Sequence, residues 1–109
     1  MSRESADAAL LLTTVASMDD AARLARVLVE VRAAACVTII PGVRSIYRWQ
    51  EQIADEEECL LLVKTALEAT DRARAAVLEH HPYDVPEVLV LAASDVPEPY
   101  RRWLAESTS

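Results

Sequence analysis

Four groups of side chains in this 109-residue sequence are of types that do chemistry. His80 and His81 are adjacent imidazoles, and neutral imidazole nitrogens bind copper or zinc. Two ligands make only part of a site, since structural zinc takes about four and catalytic zinc about three. The structural alternative has His80 continuing the apolar stripe of a helix, with both rings at its C-terminus, where a cation is favoured. Cys36 and Cys59 could serve copper as soft ligands, although a buried cysteine usually behaves as a small hydrophobe. Glu56, Glu57 and Glu58 continue an acidic run from Asp55, which could hold a hard cation or simply keep a strand edge solvated. Tyr47, Trp49 and Lys64, together with His81 and Tyr83, are the aromatic and basic types that line a pocket for a small anion. The same types are enriched in subunit contacts. With Gly42 as the only glycine there is no glycine-rich phosphate cradle, and G-x-S-x-G and H-E-x-x-H are absent. No catalytic reaction is expected.

Most of these residues are carried on a long hairpin, and His80, His81 and Tyr83 follow it. Its first arm, Cys36 to Trp49, is dominated by β-branched and aromatic residues that suit a pleated surface. Its second arm ends in the apolar run Cys59 to Thr65, and the reversal is expected somewhere in Gln50 to Glu58. The first arm alone would reach roughly 45 Å, so part of it must bend or project, and Pro41-Gly42 is where pairing can be interrupted. Before the hairpin, Ala8 to Val15 reads as a strand. Ser17-Met18-Asp19-Asp20 then opens a helix whose apolar stripe is Ala21, Leu24, Ala25, Leu28 and Val31. After it, Thr65-Ala66-Leu67-Glu68 reads as a second capping box. The helix it opens has a stripe of Ala69, Ala73, Ala76 and Val77, pairs Glu68 with Arg72, and stops at His80 or His81 before Pro82. Val88 to Ala93 reads as a fourth strand and Pro97 to Leu104 as a short C-terminal helix.

A net charge of -7 argues against nucleic acid and anionic membrane as partners. Two cysteines without C-x-x-C spacing fit a reduced, cytoplasmic setting, and the acid-containing N-terminus does not read as a secretion signal. The expectation is one domain over residues 1–109, with residues 1–7 disordered. Its order β-α-β-β-α-β-α is the α+β, ferredoxin-like split βαβ arrangement, an antiparallel sheet with both long helices on one face. Leu10 to Leu12, Leu60 to Val63 and Val88 to Leu91 do not alternate as strands with one wet face should. A second subunit is expected to cover the other face.

The segments Ala34 to Trp49 and His81-Pro82-Tyr83-Asp84-Val85-Pro86-Glu87 closely resemble signatures of the CutA family of divalent-cation tolerance proteins, over roughly Leu10 to Leu104. The resemblance implies a homotrimer similar in architecture to PII signalling proteins, with hairpins reaching over neighbouring subunits. It also implies a link to copper tolerance, with His80 and His81 as the metal-binding pair, and no established reaction. The alternative is a PII-like sensor or scaffold with a small ligand or partner protein in the inter-subunit cleft. Four departures from the family stand out: Thr13 where some members carry a cysteine proposed as a copper ligand, Ala16-Ser17 for Pro-Asp, Gln50-Glu51 for Glu-Gly, and Val96 for a frequent glycine.

Overall fold

The structure, a computed structural model, describes residues 7–109. The element order is β1 (Ala8–Val15), α1 (Met18–Glu30), β2 (Cys36–Trp49), β3 (Gln52–Ala66), α2 (Thr70–His80), β4 (Leu89–Ala93) and α3 (Glu98–Ser107). Four strands form one antiparallel sheet in the order β2-β3-β1-β4. Of the N-terminal stretch expected to be disordered, all but Asp7 lies outside the described residues. The Asp7 N–H donates to the Ala93 carbonyl at 2.8 Å, and its Oδ2 accepts from the Val96 N–H at 3.1 Å.

Both long helices lie on one face of the sheet, because each has a single apolar stripe to bury. Ala21, Leu24 and Leu28 of α1 and Ala73, Ala76 and Val77 of α2 share one core with Leu11, Val15, Leu61 and Val63. Strand side chains alternate between faces, so Leu10, Leu12, Leu60 and Leu62 point to the opposite face and stay partly exposed. There they join Ile40, Leu89 and Leu91, which are 40%, 55% and 44% exposed. At the far end of the sheet α3 closes a second, smaller cluster of Ala8, Ala35, Ala66 and Leu104, with Ala93 and Val96 packed on it.

The helix starts differ. Ser17 caps α1 as its sequence suggests, its hydroxyl accepting from the Asp20 N–H at 3.1 Å. The second capping box does not form. Thr65 is the penultimate residue of β3, and its buried hydroxyl donates to the Ala33 carbonyl at 2.8 Å. A 3-10 turn over Leu67–Ala69 intervenes, and α2 begins at Thr70 without a side-chain cap. The expected pairing of Glu68 with Arg72 gives way to a longer-range one: the Arg72 guanidinium donates to the carbonyls of Arg32 and Thr108, tying the ends of α1 and α3 together. A fork of five donors satisfies helix-end carbonyls that no backbone group reaches.

The hairpin reverses at Gln50-Glu51, earlier than the acidic run, so Asp55 to Glu58 lie inside β3 and not in a loop. Both turn residues have positive φ, 49° and 67°, the combination of a type I′ turn, in which glycine and asparagine are preferred. The register slips between Ile40 and Val43, where Gly42 takes φ 72°, so the bend expected at Pro41-Gly42 is a bulge. Beyond it the arm is held by Arg44, whose Nε and Nη2 donate to the two oxygens of Asp55 at 2.7 and 2.6 Å. That bond holds the Asp55 carboxyl below its ordinary range and raises Arg44. Val96 needs no glycine, since among the described non-glycine residues only Arg32, Gln50 and Glu51 have positive φ.

Candidate functional site

His81 is the C-cap of α2, with φ -72° and ψ 137°, and its N–H donates to the Val77 carbonyl at 2.9 Å. Pro82 forces this extended backbone on the residue before it. The turn swings the imidazole inward. His81 is 9% exposed, and its Nε2 lies 2.9 Å from the Thr14 carbonyl oxygen at the end of β1. A carbonyl only accepts, so Nε2 carries the proton, and Nδ1 accepts from the Tyr83 N–H at 3.1 Å. Both ring nitrogens are therefore engaged. Burial pushes the His81 pKa down, against the raising effect of the Thr14 carbonyl and of Asp20 and Glu58.

From His81 the contacts run across the end of the sheet. The His81 and Tyr83 rings lie 4.8 Å apart between centroids. The Tyr83 hydroxyl donates to Glu58 Oε2 at 2.7 Å. Burial first, and then that bond, push the Tyr83 pKa well above the ordinary tyrosine range, so this hydroxyl stays a donor. Glu58 is 8% exposed despite its charge. Two residues away on the same face of β3, Glu56 accepts a close hydrogen bond from the Tyr47 hydroxyl, which raises the Tyr47 pKa. An open cavity of about 390 Å3 adjoins Glu58 at the β-bulge, lined also by Ser17, Met18, Pro41, Gly42 and Cys59.

The structure brings together Tyr47, His81 and Tyr83 and separates the others. Trp49 sits at the hairpin tip, opposite Gln52 and 53% exposed. Lys64 pairs across with Cys36 and Leu10, on the open sheet face. It is ten residues along β3 from Ala54, the cross-strand partner of Tyr47, or roughly 33 Å. His80, expected to continue the apolar stripe, is the exposed last residue of α2, with Nε2 3.7 Å from Glu79 Oε2. The histidines thus diverge, one outward and one inward. Cys36 and Cys59 are both free and point to opposite faces of the sheet. Thr13, at the position of the cysteine of some family members, is fully buried under the helices.

The donor set within one chain does not fit a closed copper site. Among the described residues no three His, Cys, Asp or Glu side chains converge as a metal would require. Glu58 and Glu56, the two acceptors at the centre of the cluster, were not singled out from the acidic run. Their period-2 spacing was the available signal. It is legible only when the run is read as strand, and the reversal placed anywhere in Gln50 to Glu58 hid it.

The chain is an α+β protein, an antiparallel four-stranded sheet with a bulged hairpin and both long helices on one face, and solved structures share this fold. The description "CutA1 divalent ion tolerance protein" matches residues 9–107. A relative named divalent-cation tolerance protein CutA, from Thermus thermophilus, is 44% identical over 99 residues, covering 91% of this chain and 96% of its own length. The crystal structure of CutA from Xylella fastidiosa superposes with a TM-score of 0.91 at 35% identity, over 94% of this chain and 99% of that one. CutA from Synechococcus elongatus complexed with a Bis-Tris molecule superposes with a TM-score of 0.84 at 43% identity, over 94% of each chain. The chain belongs to the CutA1 divalent ion tolerance family.

Proposed function

We propose that this chain is a non-enzymatic, cytoplasmic homotrimer that acts in divalent-cation tolerance. Each subunit is one ferredoxin-like split βαβ domain in a PII-like trimer, a reading supported by the strand order β2-β3-β1-β4. The observation that carries it is the open sheet face. Leu10, Leu12, Leu60, Leu62, Leu89 and Leu91 leave one face of the sheet apolar, and α3 covers only its Ala8–Ala66 end. Each leucine fully buried there would contribute about 2 kcal/mol, which makes a lone subunit the less stable species. Light scattering after gel filtration tests this: three times the 12.0 kDa subunit mass is expected. A folded species at the subunit mass would remove the reading.

Copper is held weakly in this reading, with His80 as the accessible imidazole and His81 joining only if its bonds to Thr14 and Tyr83 open. Titration calorimetry with Cu(II) should lose most of its signal in His80→Ala, His81→Ala, and equal affinity in that variant would place the metal elsewhere. A second reading, a sensor or scaffold with a ligand in a cleft, is favoured by the cavity beside Glu58 and by the Bis-Tris complex of the Synechococcus elongatus relative.

A further inference from the structure

We propose that the cavity between the start of α1 and the β-bulge binds a soft monovalent metal ion, of the Cu(I) and Ag(I) class, between the sulfurs of Cys59 and Met18. The site is separate from the histidine pair and from the open sheet face assigned to a neighbouring subunit. Cys59 shares the helix-covered core with Val15, Leu61 and Val63. Met18, the first residue of α1, and its cap Ser17 line the same cavity of about 390 Å3 as Cys59. Pro41 and Gly42 of the bulge line it from β2.

Two independent observations point to a ligand. The Cys59 thiol is free, 5% exposed and without a hydrogen-bond partner among the described residues, yet it borders open space where a core residue would be packed on every side. Met18 is 47% exposed and joins neither core cluster, although it lines that same space. A thioether on an unbranched chain with three rotatable bonds can turn toward the thiol without disturbing the core. Thiolate and thioether together select soft ions such as Cu(I), and a filled-shell monovalent ion is satisfied by two sulfurs in line. The absence of three converging His, Cys, Asp or Glu side chains among the described residues therefore excludes a closed zinc site and leaves this one standing. On binding, the Cys59 S–H loses its proton to solvent as the sulfur–metal bond forms, and Met18 donates a lone pair and releases nothing. No electron is transferred. The thiolate cancels the charge of the ion, so the bound unit is neutral and tolerates an apolar wall. The exposed carboxylate of Glu57 also lines the cavity, with Oε1 3.9 Å from the Cβ position that Gly42 leaves empty, and it attracts cations to the entrance. Cys36, the other free thiol, lies on the opposite face, with Sγ 4.0 Å from the Thr38 hydroxyl.

The test uses the intact chain carrying Cys36→Ala, so that Cys59 is the single thiol, and silver nitrate as a redox-inert probe in chloride-free buffer. Methionine ε-methyl resonances are followed by NMR. The chain has two methionines, Met1 and Met18, and Met18→Leu assigns them. The Met18 methyl is expected to shift and to saturate at one silver ion per subunit. Cys59→Ala should abolish the shift, and Met18→Leu should weaken silver binding at least tenfold, measured with thiosulfate as competitor. Should Cys59→Ala fail to fold, Cys59→Val, which returns hydrocarbon to the same place, carries the same expectation, and Met18→Leu alters only an exposed side chain. A Met18 methyl that does not move overturns the proposal, as does an equal shift without the Cys59 sulfur. Unchanged silver affinity in Met18→Leu also overturns it, because the thiol would then be acting alone. The same saturable shift with zinc or magnesium overturns the ligand class.

Discussion

The two faces of the one sheet are built from nearly the same amino acids and behave as different surfaces. Leu11, Val15, Leu61 and Val63 are fully buried beneath α1 and α2. Leu10, Leu12, Leu60 and Leu62, one residue away in each case, are only partly covered. The contrast teaches that composition cannot separate a core from an interface. Both faces are apolar, and only the placement of the helices decides which one a single chain can bury.

The sharpest way to break the comparison is to mutate neighbours. Leu61→Ala should cost about 3 kcal/mol, since it opens a cavity in packed core, and chemical denaturation should give that loss at any protein concentration. Leu62→Ala on the open face should cost less, and the melting temperature of the parent itself should fall on dilution, because an assembly with no stable monomer is governed by mass action. A parent melting temperature that does not move on dilution would mean that the open face has no partner. Leu62→Asp should destroy the folded assembly without releasing a stable monomer, readable as loss of circular dichroism together with loss of mass.

His81 joins the two surfaces at the end of the sheet, and its removal is the next largest effect. His81→Ala leaves the Thr14 carbonyl and the Tyr83 N–H without their partner and should cost about 2 kcal/mol. The pH dependence has a definite sign. Burial lowers the folded-state pKa of His81 below its ordinary value of 6.5, so the unfolded chain binds the proton more readily. The contribution of His81 is complete above about pH 6.5 and is lost as pH falls from there through the lower folded value. Thermal melts between pH 8 and 5 should show a decline in the parent that is shallower in His81→Ala. An equal slope in both would assign the acid sensitivity to other groups.

Smaller effects sharpen the picture in the middle of β1 and at the hairpin turn. Thr13 Oγ1 is fully buried with no hydrogen-bond partner among the described residues, so Thr13→Val should stabilise the helix-covered face by about 1 kcal/mol. Glu51→Gly should also stabilise, by up to about 1 kcal/mol, because φ 67° is strained for a side chain and free for glycine. Urea midpoints decide both. A loss of stability in Thr13→Val would point to a water or neighbour satisfying that hydroxyl.

How much of this was legible before folding varies with the range of the interactions involved. The Ser17 cap, the bulge at Pro41-Gly42, most of both helix stripes and the spans of β1 and β2 were readable because each depends on neighbours a few residues apart, whereas the first half of β3 was not read as strand and Val31, assigned to the first stripe, is the exposed C-cap of α1. The false capping box at Thr65 shows the limit of such reading. The motif was present, but pairing with β1 kept the chain extended through Ala66, and the Thr65 hydroxyl found Ala33 instead.

The candidate site was legible only in pieces. Tyr47, His81 and Tyr83 were picked by residue type, and the structure gathers them, while Lys64 and Trp49 were grouped with them on chemistry alone and lie elsewhere. Residue types and periodicity by themselves determined an α+β chain with one buried helix-facing surface and a surplus of apolar strand surface. Tertiary structure alone decided that His81 turns inward while His80 turns out, and that Glu58 is buried beneath Tyr83. It also placed Arg72 across the ends of two helices. The physical reason is sequence separation: Thr14 and His81 are 67 residues apart, and Arg32 and Arg72 are 40 apart. No local pattern records which distant carbonyl a side chain will meet, because that partner exists only once the sheet has set its register and the helices have been laid on one of its faces.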